Sequence, residues 1–165
     1  MSVAEGARPG WTPVTERLVR WLEGEAVAFR LLEHAPVFTS EQAAEARGTP
    51  IEAGAKALVL LAADDPVHVV LPAHRRVDNA RARAVLGTRT LRFATAEELL
   101  KLTGCVPGAV PPFGNLFGLP VLADEELGRR KEVAFNAGSN SVSIVIGAAE
   151  LIRLSGARVC PLARA

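Results

Sequence analysis

Two cysteines, Cys105 and Cys160, are too few to staple a fold together. No apolar run approaches the roughly 18–20 residues of a membrane span. The opening residues, MSVAEGARPGW, lack the basic-then-apolar pattern of a signal peptide. The expected compartment is therefore a reducing cytoplasm, with no membrane partner. A basic excess is missing as well: 19 Lys and Arg stand against 18 Asp and Glu, a formal charge of +1. Proteins that grip long stretches of nucleic acid usually carry such an excess, so any contact of that kind is expected to be local, with one end of a molecule. Lysine is scarce, at positions 56, 101 and 131 only, which makes each one easy to weigh.

What is present suffices for one domain. A chain of 165 residues, 49% of them hydrophobic, buries about 69% of its unfolded surface on folding. Residues 1–11 read as a loose tail and 12–165 as a single folded unit. Thr12 can cap a helix with Pro13 in its first position, placing Val14, Leu18, Trp21 and Leu22 on one face. A strand follows over 26–32, then a turn at His34-Ala35-Pro36. Thr39 and Gln42 form a capping-box pattern for an alanine-rich helix that stops at Gly48. The run 57–62 lacks alternation, which marks a strand covered on both faces. A turn at Asp64-Asp65-Pro66 pairs it with a second strand over 67–71, in which His68 is expected to be half-exposed.

Further along, Asp78 caps a helix ending at Gly87, Leu91-Arg92-Phe93 is a short strand, and Thr95 with Glu98 forms a second capping box for a helix stopped by Gly104. Asp124 can cap a helical turn. Strands are expected at 133–135 and 142–146, separated by a turn over Asn136–Asn140. A last helix spans about 148–155, and Val159 begins a final strand. The sum is an α/β (α+β) domain with one mixed, mostly antiparallel central sheet flanked by helices.

Between 104 and 120 the chain changes character. Four glycines (104, 108, 114, 118) and four prolines (107, 111, 112, 120) preclude a regular helix, yet Val106, Val110, Phe113, Leu116 and Phe117 favour burial. A long apolar loop inside a compact domain is more often functional than idle. Its glycines let backbone N–H groups approach a ligand and form an anion-binding nest; alternatively the loop closes a sheet edge. Lys56, directly before the apolar strand, must either reach water or point into a cleft, where desolvation lowers its pKa. The Asn136–Asn140 segment reads equally as a simple hairpin turn. His74-Arg75-Arg76 with Arg81, Arg83, Arg89 and Arg92 can meet phosphates or form a solvated face. His34, His68 and His74 show no metal-ligand spacing, and Cys105 has no neighbouring base, so neither a metal nor a cofactor is expected. A Walker loop and a G-x-S-x-G elbow are both missing.

Together these features resemble a known family. His34-Ala35-Pro36 before a Thr39-capped helix, Lys56 opening a strand, Gly104-Cys105-Val106-Pro107-Gly108 with Pro112-Phe113-Gly114, and Asn136-Ala137-Gly138-Ser139 before a strand and helix are similar in order to the YbaK family of aminoacyl-tRNA deacylases. That family includes the editing domain inserted in bacterial prolyl-tRNA synthetases. The resemblance covers about residues 25–156. It implies a trans-editing hydrolase that cleaves the ester joining a wrong amino acid to the acceptor end of tRNA, without a metal or a covalent enzyme nucleophile. Lys56 and Gly108 would be catalytic, the first holding the terminal phosphate or adenosine and the second orienting the carbonyl or the attacking water. Phe38, Thr39, Gly104, Cys105, Pro107, Pro112, Phe113 and Gly114 would bind substrate, with Ala137, Gly138 and Ser139 closing the amino-acid pocket. Ala57 stands where alanine-clearing relatives carry Asn, so cysteine, alanine and serine esters stay open, on the tRNA for proline or a related one. The partner is a mischarged aminoacyl-tRNA and, beside it, a synthetase. The alternative is a module that binds either one without turnover.

Overall fold

A computed structural model describes residues 8–165. Helix α1 (Pro13–Gly24) begins as expected, with the Thr12 hydroxyl accepting from the Thr15 N–H. Strand β1 (Phe29–Glu33) starts three residues later than anticipated. Arg8 and Trp11, expected to be loose, are fastened to its end: the Arg8 guanidinium lies 2.9 Å from the Glu33 carboxylate and 4.3 Å from the Trp11 ring centroid. The remainder of the expected tail, residues 1–7, lies outside the described residues.

Helix α2 (Ser40–Arg47) is capped by Thr39, but the reciprocal bond shifts by one residue: the Gln42 side chain accepts from the Phe38 N–H rather than from Thr39. Strands β2 (Ala55–Ala62) and β3 (Asp65–Pro72) pair antiparallel. Their connection is the two-residue Ala63-Asp64 loop, both with positive φ (47° and 73°), a primed turn whose twist matches the strands. Then come β4 (Arg76–Val77), α3 (Asn79–Leu86), β5 (Leu91–Phe93), α4 (Ala96–Thr103), β6 (Val121–Asp124), β7 (Glu132–Ser139), β8 (Val142–Gly147), α5 (Ala148–Ser155), β9 (Arg158–Cys160) and β10 (Ala163–Arg164). Among the described residues no helix is long and apolar enough to cross a membrane.

The strands do not form one sheet. Order β5-β2-β3-β6-β9 makes a mixed five-stranded sheet, β1-β8-β7 an antiparallel three-stranded one, and β10-β4 a short ribbon. The two larger sheets touch through an isolated bridge between Gly54 and Ala134. Local pattern identifies strands but leaves open which of them share an edge, so the division was not apparent beforehand. The architecture remains a single α+β domain with mostly antiparallel pairing.

Two residues of the Gly-Pro loop hold this arrangement. Phe113 is fully buried, its ring 5.1 Å from Trp21 of α1 and 5.6 Å from Phe135 of β7, both edge to face. It is a core residue, its ring wedged between α1 and the three-stranded sheet. Gly114 likewise serves packing: a Cβ there would stand 2.5 Å from the Cβ of His68. His68 itself is fully buried, contrary to the half-exposed expectation, because loop 104–114 covers the face that alternation assigns to solvent. Its Nε2 donates to the Pro111 carbonyl at 3.0 Å, leaving Nδ1 bare and without a partner. Burial lowers its pKa to about 4, outweighing the Pro111 bond, which acts in the other direction.

Two expectations follow for stability. A neutral buried imidazole means that the unfolded chain binds more protons between pH 6.5 and about 4, so stability should fall with pH across that window by about 3 kcal/mol. His68→Gln keeps an N–H donor for Pro111 without titrating, and denaturant unfolding at pH 4.5 and 7 should show this pH dependence flattened. Gly114→Ala should cost about 1–3 kcal/mol by overpacking, read as a lower Tm.

Candidate active site

A cleft of about 220 Å³ opens where α2, the start of β2, the Gly-Pro loop and the far end of β7 converge. Lys56 enters it because β2 alternates at its start: Ala55 and Ala57 are buried and Lys56 between them is partly exposed. Desolvation, helped by the nearby Arg76 charge, pulls the Lys56 pKa below 10.5. Pro107 and Gly108 face the same cleft, with Phe38 and Thr39 beside them. Gly108 sits at φ +84°, a conformation that disfavours any side chain. Phe38 is 76% exposed, a large apolar ring left at the cleft mouth.

The Gly108 peptide is held from β7. Asn136 Nδ2 donates to the Gly108 carbonyl at 2.8 Å, and the Gly138 N–H donates to the next carbonyl, Ala109, also at 2.8 Å. On its other side Gly138 accepts from the Thr12 hydroxyl at 2.8 Å, which ties helix α1 to the same point. The Gly108 N–H has no acceptor among the described residues, so it is available to a ligand.

A residue that sequence reasoning passed over completes the site. Arg47, the last residue of α2, lines the cleft, and burial lowers its pKa to about 10, so it is still charged at neutral pH. No carboxylate pairs with it. Its Nε donates to the Ser143 hydroxyl (2.9 Å), Nη2 to Asn136 Oδ1 (2.9 Å) and Nη1 to the Ala134 carbonyl (3.4 Å). Ser143 passes its own proton on. His34 Nδ1 faces the Ala35 carbonyl at 2.8 Å and must donate there, so Nε2 accepts from the Ser143 hydroxyl at 2.7 Å. A chain of bonds thus runs from His34 through Ser143, Arg47 and Asn136 to Gly108. An arginine just before a C-capping glycine reads as ordinary helix-dipole compensation, which is why its sequence carries no signal.

The other expected site residues lie elsewhere. Cys105 is buried next to Thr103, its thiol pKa pushed up by burial, and Gly104 between them caps the end of α4. Pro112, Phe113 and Gly114 belong to the packed stretch described above. Ala137, Gly138 and Ser139 are buried within β7, which runs on through the expected turn, with a register shift between Asn136 and Ser139. Ser139 Oγ accepts from the Ser141 N–H rather than facing the cleft. The flanking Asn136 and Asn140 line it instead. Of the basic segment, Arg75, Arg81 and Arg92 pair with Glu126, Asp78 and Glu98, while Arg76 stays near Lys56.

Two cations, a stiff loop with an open amide and two asparagines make a site suited to an acyl oxygen and a nearby phosphate. The lining includes no carboxylate, imidazole or thiol. Comparison with known proteins places the chain in a family. The model of the aminoacyl-tRNA editing domain matches residues 34–154. The multifunctional Ser/Thr-tRNA deacylase ProXp-y of Escherichia coli (strain K12) is 36% identical over 145 residues, 85% of this chain and 87% of its own. A proline–tRNA ligase of Shouchella clausii (strain KSM-K16) is 30% identical over 107 residues, 65% of this chain but 19% of the ligase. A crystal structure of a candidate trans-editing enzyme for prolyl-tRNA synthetase superposes with a TM-score of 0.84 at 29% identity, covering 94% of this chain and 99% of that one. By its sequence and its fold, the chain belongs to the aminoacyl-tRNA editing domain family.

Proposed function

We propose that this protein is a cytoplasmic trans-editing deacylase that hydrolyses the ester of a mischarged tRNA carrying a small amino acid. The observation that carries this reading is the cleft's composition: Lys56, Arg47 and the open Gly108 N–H, with no carboxylate, imidazole or thiol in the lining. Such a site works by position and charge. Water adds to the acyl carbon and the ester C–O bond breaks; one of its protons passes to the leaving ribose oxygen, directly or through the neighbouring ribose hydroxyl, and the amino acid leaves as its carboxylate, releasing the other proton to solvent. The Gly108 N–H donates to the oxygen that becomes negative, where one fixed donor is worth about 3–4 kcal/mol. Lys56 holds the phosphate or ribose end, and the exposed Phe38 ring offers a stacking face for the terminal adenine.

Among cysteine, alanine and serine, the serine ester suits the cleft best. The Asn140 side chain, which bonds to nothing among the described residues, presents a polar group that a hydroxyl satisfies and a methyl leaves unpaired, a difference of about 1–3 kcal/mol. The E. coli relative's name, a Ser/Thr-tRNA deacylase, points in the same direction. The likeness to part of a proline–tRNA ligase supports a synthetase as the partner that supplies the mischarged tRNA.

Release of amino acid from a panel of mischarged tRNAs tests the activity. Seryl esters should be cleared fastest, and Lys56→Ala should lower kcat/KM by about 100-fold or more. Tight, salt-dependent binding with no release from any ester would instead select a binding module. Because Lys56 loses its proton earlier than an ordinary lysine, the rate should decline on the alkaline side below pH 10.5, and Lys56→Arg should move that decline upward. Asn136→Ala should lower kcat about tenfold with KM nearly unchanged, by releasing the Gly108 carbonyl. Asn136→Asp separates the two duties of that side chain. It gives Arg47 a carboxylate and should recover Tm, yet it cannot donate to Gly108 and should leave kcat low.

A further inference from the structure

On the opposite side of the seam between the sheets lies a second hollow, of about 320 Å³, that the proposed chemistry does not use. Arg30 of β1 and the consecutive Arg129, Arg130 and Lys131 ahead of β7 line it, against a single carboxylate, Glu132. Arg129 is drawn 3.6 Å toward Glu125, while Arg30, Arg130 and Lys131 form no ion pair among the described residues. Thr49, also at this hollow, has a buried hydroxyl with no hydrogen-bond partner. A chain whose whole surplus is +1 thus places four cations around one cavity. Like charges gathered without counterions repel one another, and an anion bound among them relieves that repulsion.

We propose that this cavity holds the phosphate backbone of the acceptor strand, at the phosphates that precede the terminal nucleotide seated in the cleft. Its position favours RNA over an acidic protein segment. Arg47, in the cleft, donates to the Ala134 carbonyl, and Ala134 also lines the cavity, so the two hollows are neighbours linked through one residue. A nucleic-acid strand carries a charge every few ångströms, so one that ends in the cleft brings phosphates to this place within a few nucleotides. An acidic protein segment has no such reason to lie beside the cleft. The inference rests on the deacylase reading only for the identity of the RNA.

The test measures binding of uncharged tRNA across a salt series, alongside hydrolysis of an aminoacyl-adenosine ester that has no upstream phosphates. The double variant Arg130→Glu/Lys131→Glu should weaken tRNA binding by about tenfold or more and lower the salt slope by about two, while the short ester is cleaved as by the wild type. Arg30→Glu, placed on a different strand, should weaken binding in the same way. The control is Arg17→Glu/Arg20→Glu on α1, which makes the same charge change at exposed positions that do not line the cavity, and it should alter affinity less than threefold. Unchanged tRNA affinity in the cavity variants overturns the proposal, even if they lose an acidic protein partner. Equal loss in the control overturns it as well. Should the wild type cleave no ester at all, the deacylase reading falls and the binding measurements still decide the cavity.

Discussion

The candidate site depends on two hydrogen bonds from β7 to consecutive carbonyls of the Gly-Pro loop, Asn136 to Gly108 and Gly138 to Ala109. A loop without regular structure has no internal ladder to fix its peptides, so its geometry must come from outside. Here it comes from a strand that is itself anchored: Gly138 receives the Thr12 hydroxyl, and Phe113 locks the loop's other end between Trp21 and Phe135. Glycine gives the loop its shape and the prolines remove alternatives, but the β7 contacts select the one conformation that leaves the Gly108 N–H open. Preorganisation of this kind matters most where no side chain does acid–base work, because the rate then rests on where donors stand before the reaction begins.

Arg47 is the second organising element. A buried guanidinium without a carboxylate is costly, and three neutral acceptors offset only part of that cost. The same arrangement, with Lys56, makes the cleft electropositive in a protein of nearly balanced charge and so attractive to an anionic ligand. The His34–Ser143 pair fixes the orientation of the guanidinium by giving its Nε a single acceptor. Lys56 and Arg47 thus differ in kind. Lys56 is a half-buried point charge on a flexible stem, whereas Arg47 is a planar group locked in place.

Much of this was legible in the sequence where the signal is local. The caps at Thr12, Thr39, Asp78 and Thr95 and the stops at Gly48, Gly87 and Gly104 stand where expected, because capping is decided within four residues. Lys56, Pro107 and Gly108 could be singled out because a lone lysine at a strand's start and a breaker-dense apolar loop are both unusual. What depends on non-local contact was not legible. His68 alternates like a surface residue but is covered by a loop more than 40 positions away. Ala137-Gly138-Ser139 resembles a turn, and it is the pairing of Ser139 with Val142 of β8, past a bulge, that continues the strand. Asn136 and Arg47 look ordinary in isolation, since their roles come from each other.

The bridge between Gly54 and Ala134 carries a mechanical implication. The cleft takes one wall from β2 of the five-stranded sheet and another from β7 of the three-stranded sheet, and direct strand pairing between those walls is limited to that bridge and the Arg47 contact beside it. A molecule lodged in the cleft touches both walls and acts as a removable rivet. Occupancy and rigidity are then thermodynamically linked: whatever binds the assembled walls more tightly than the parted ones also stiffens the joint.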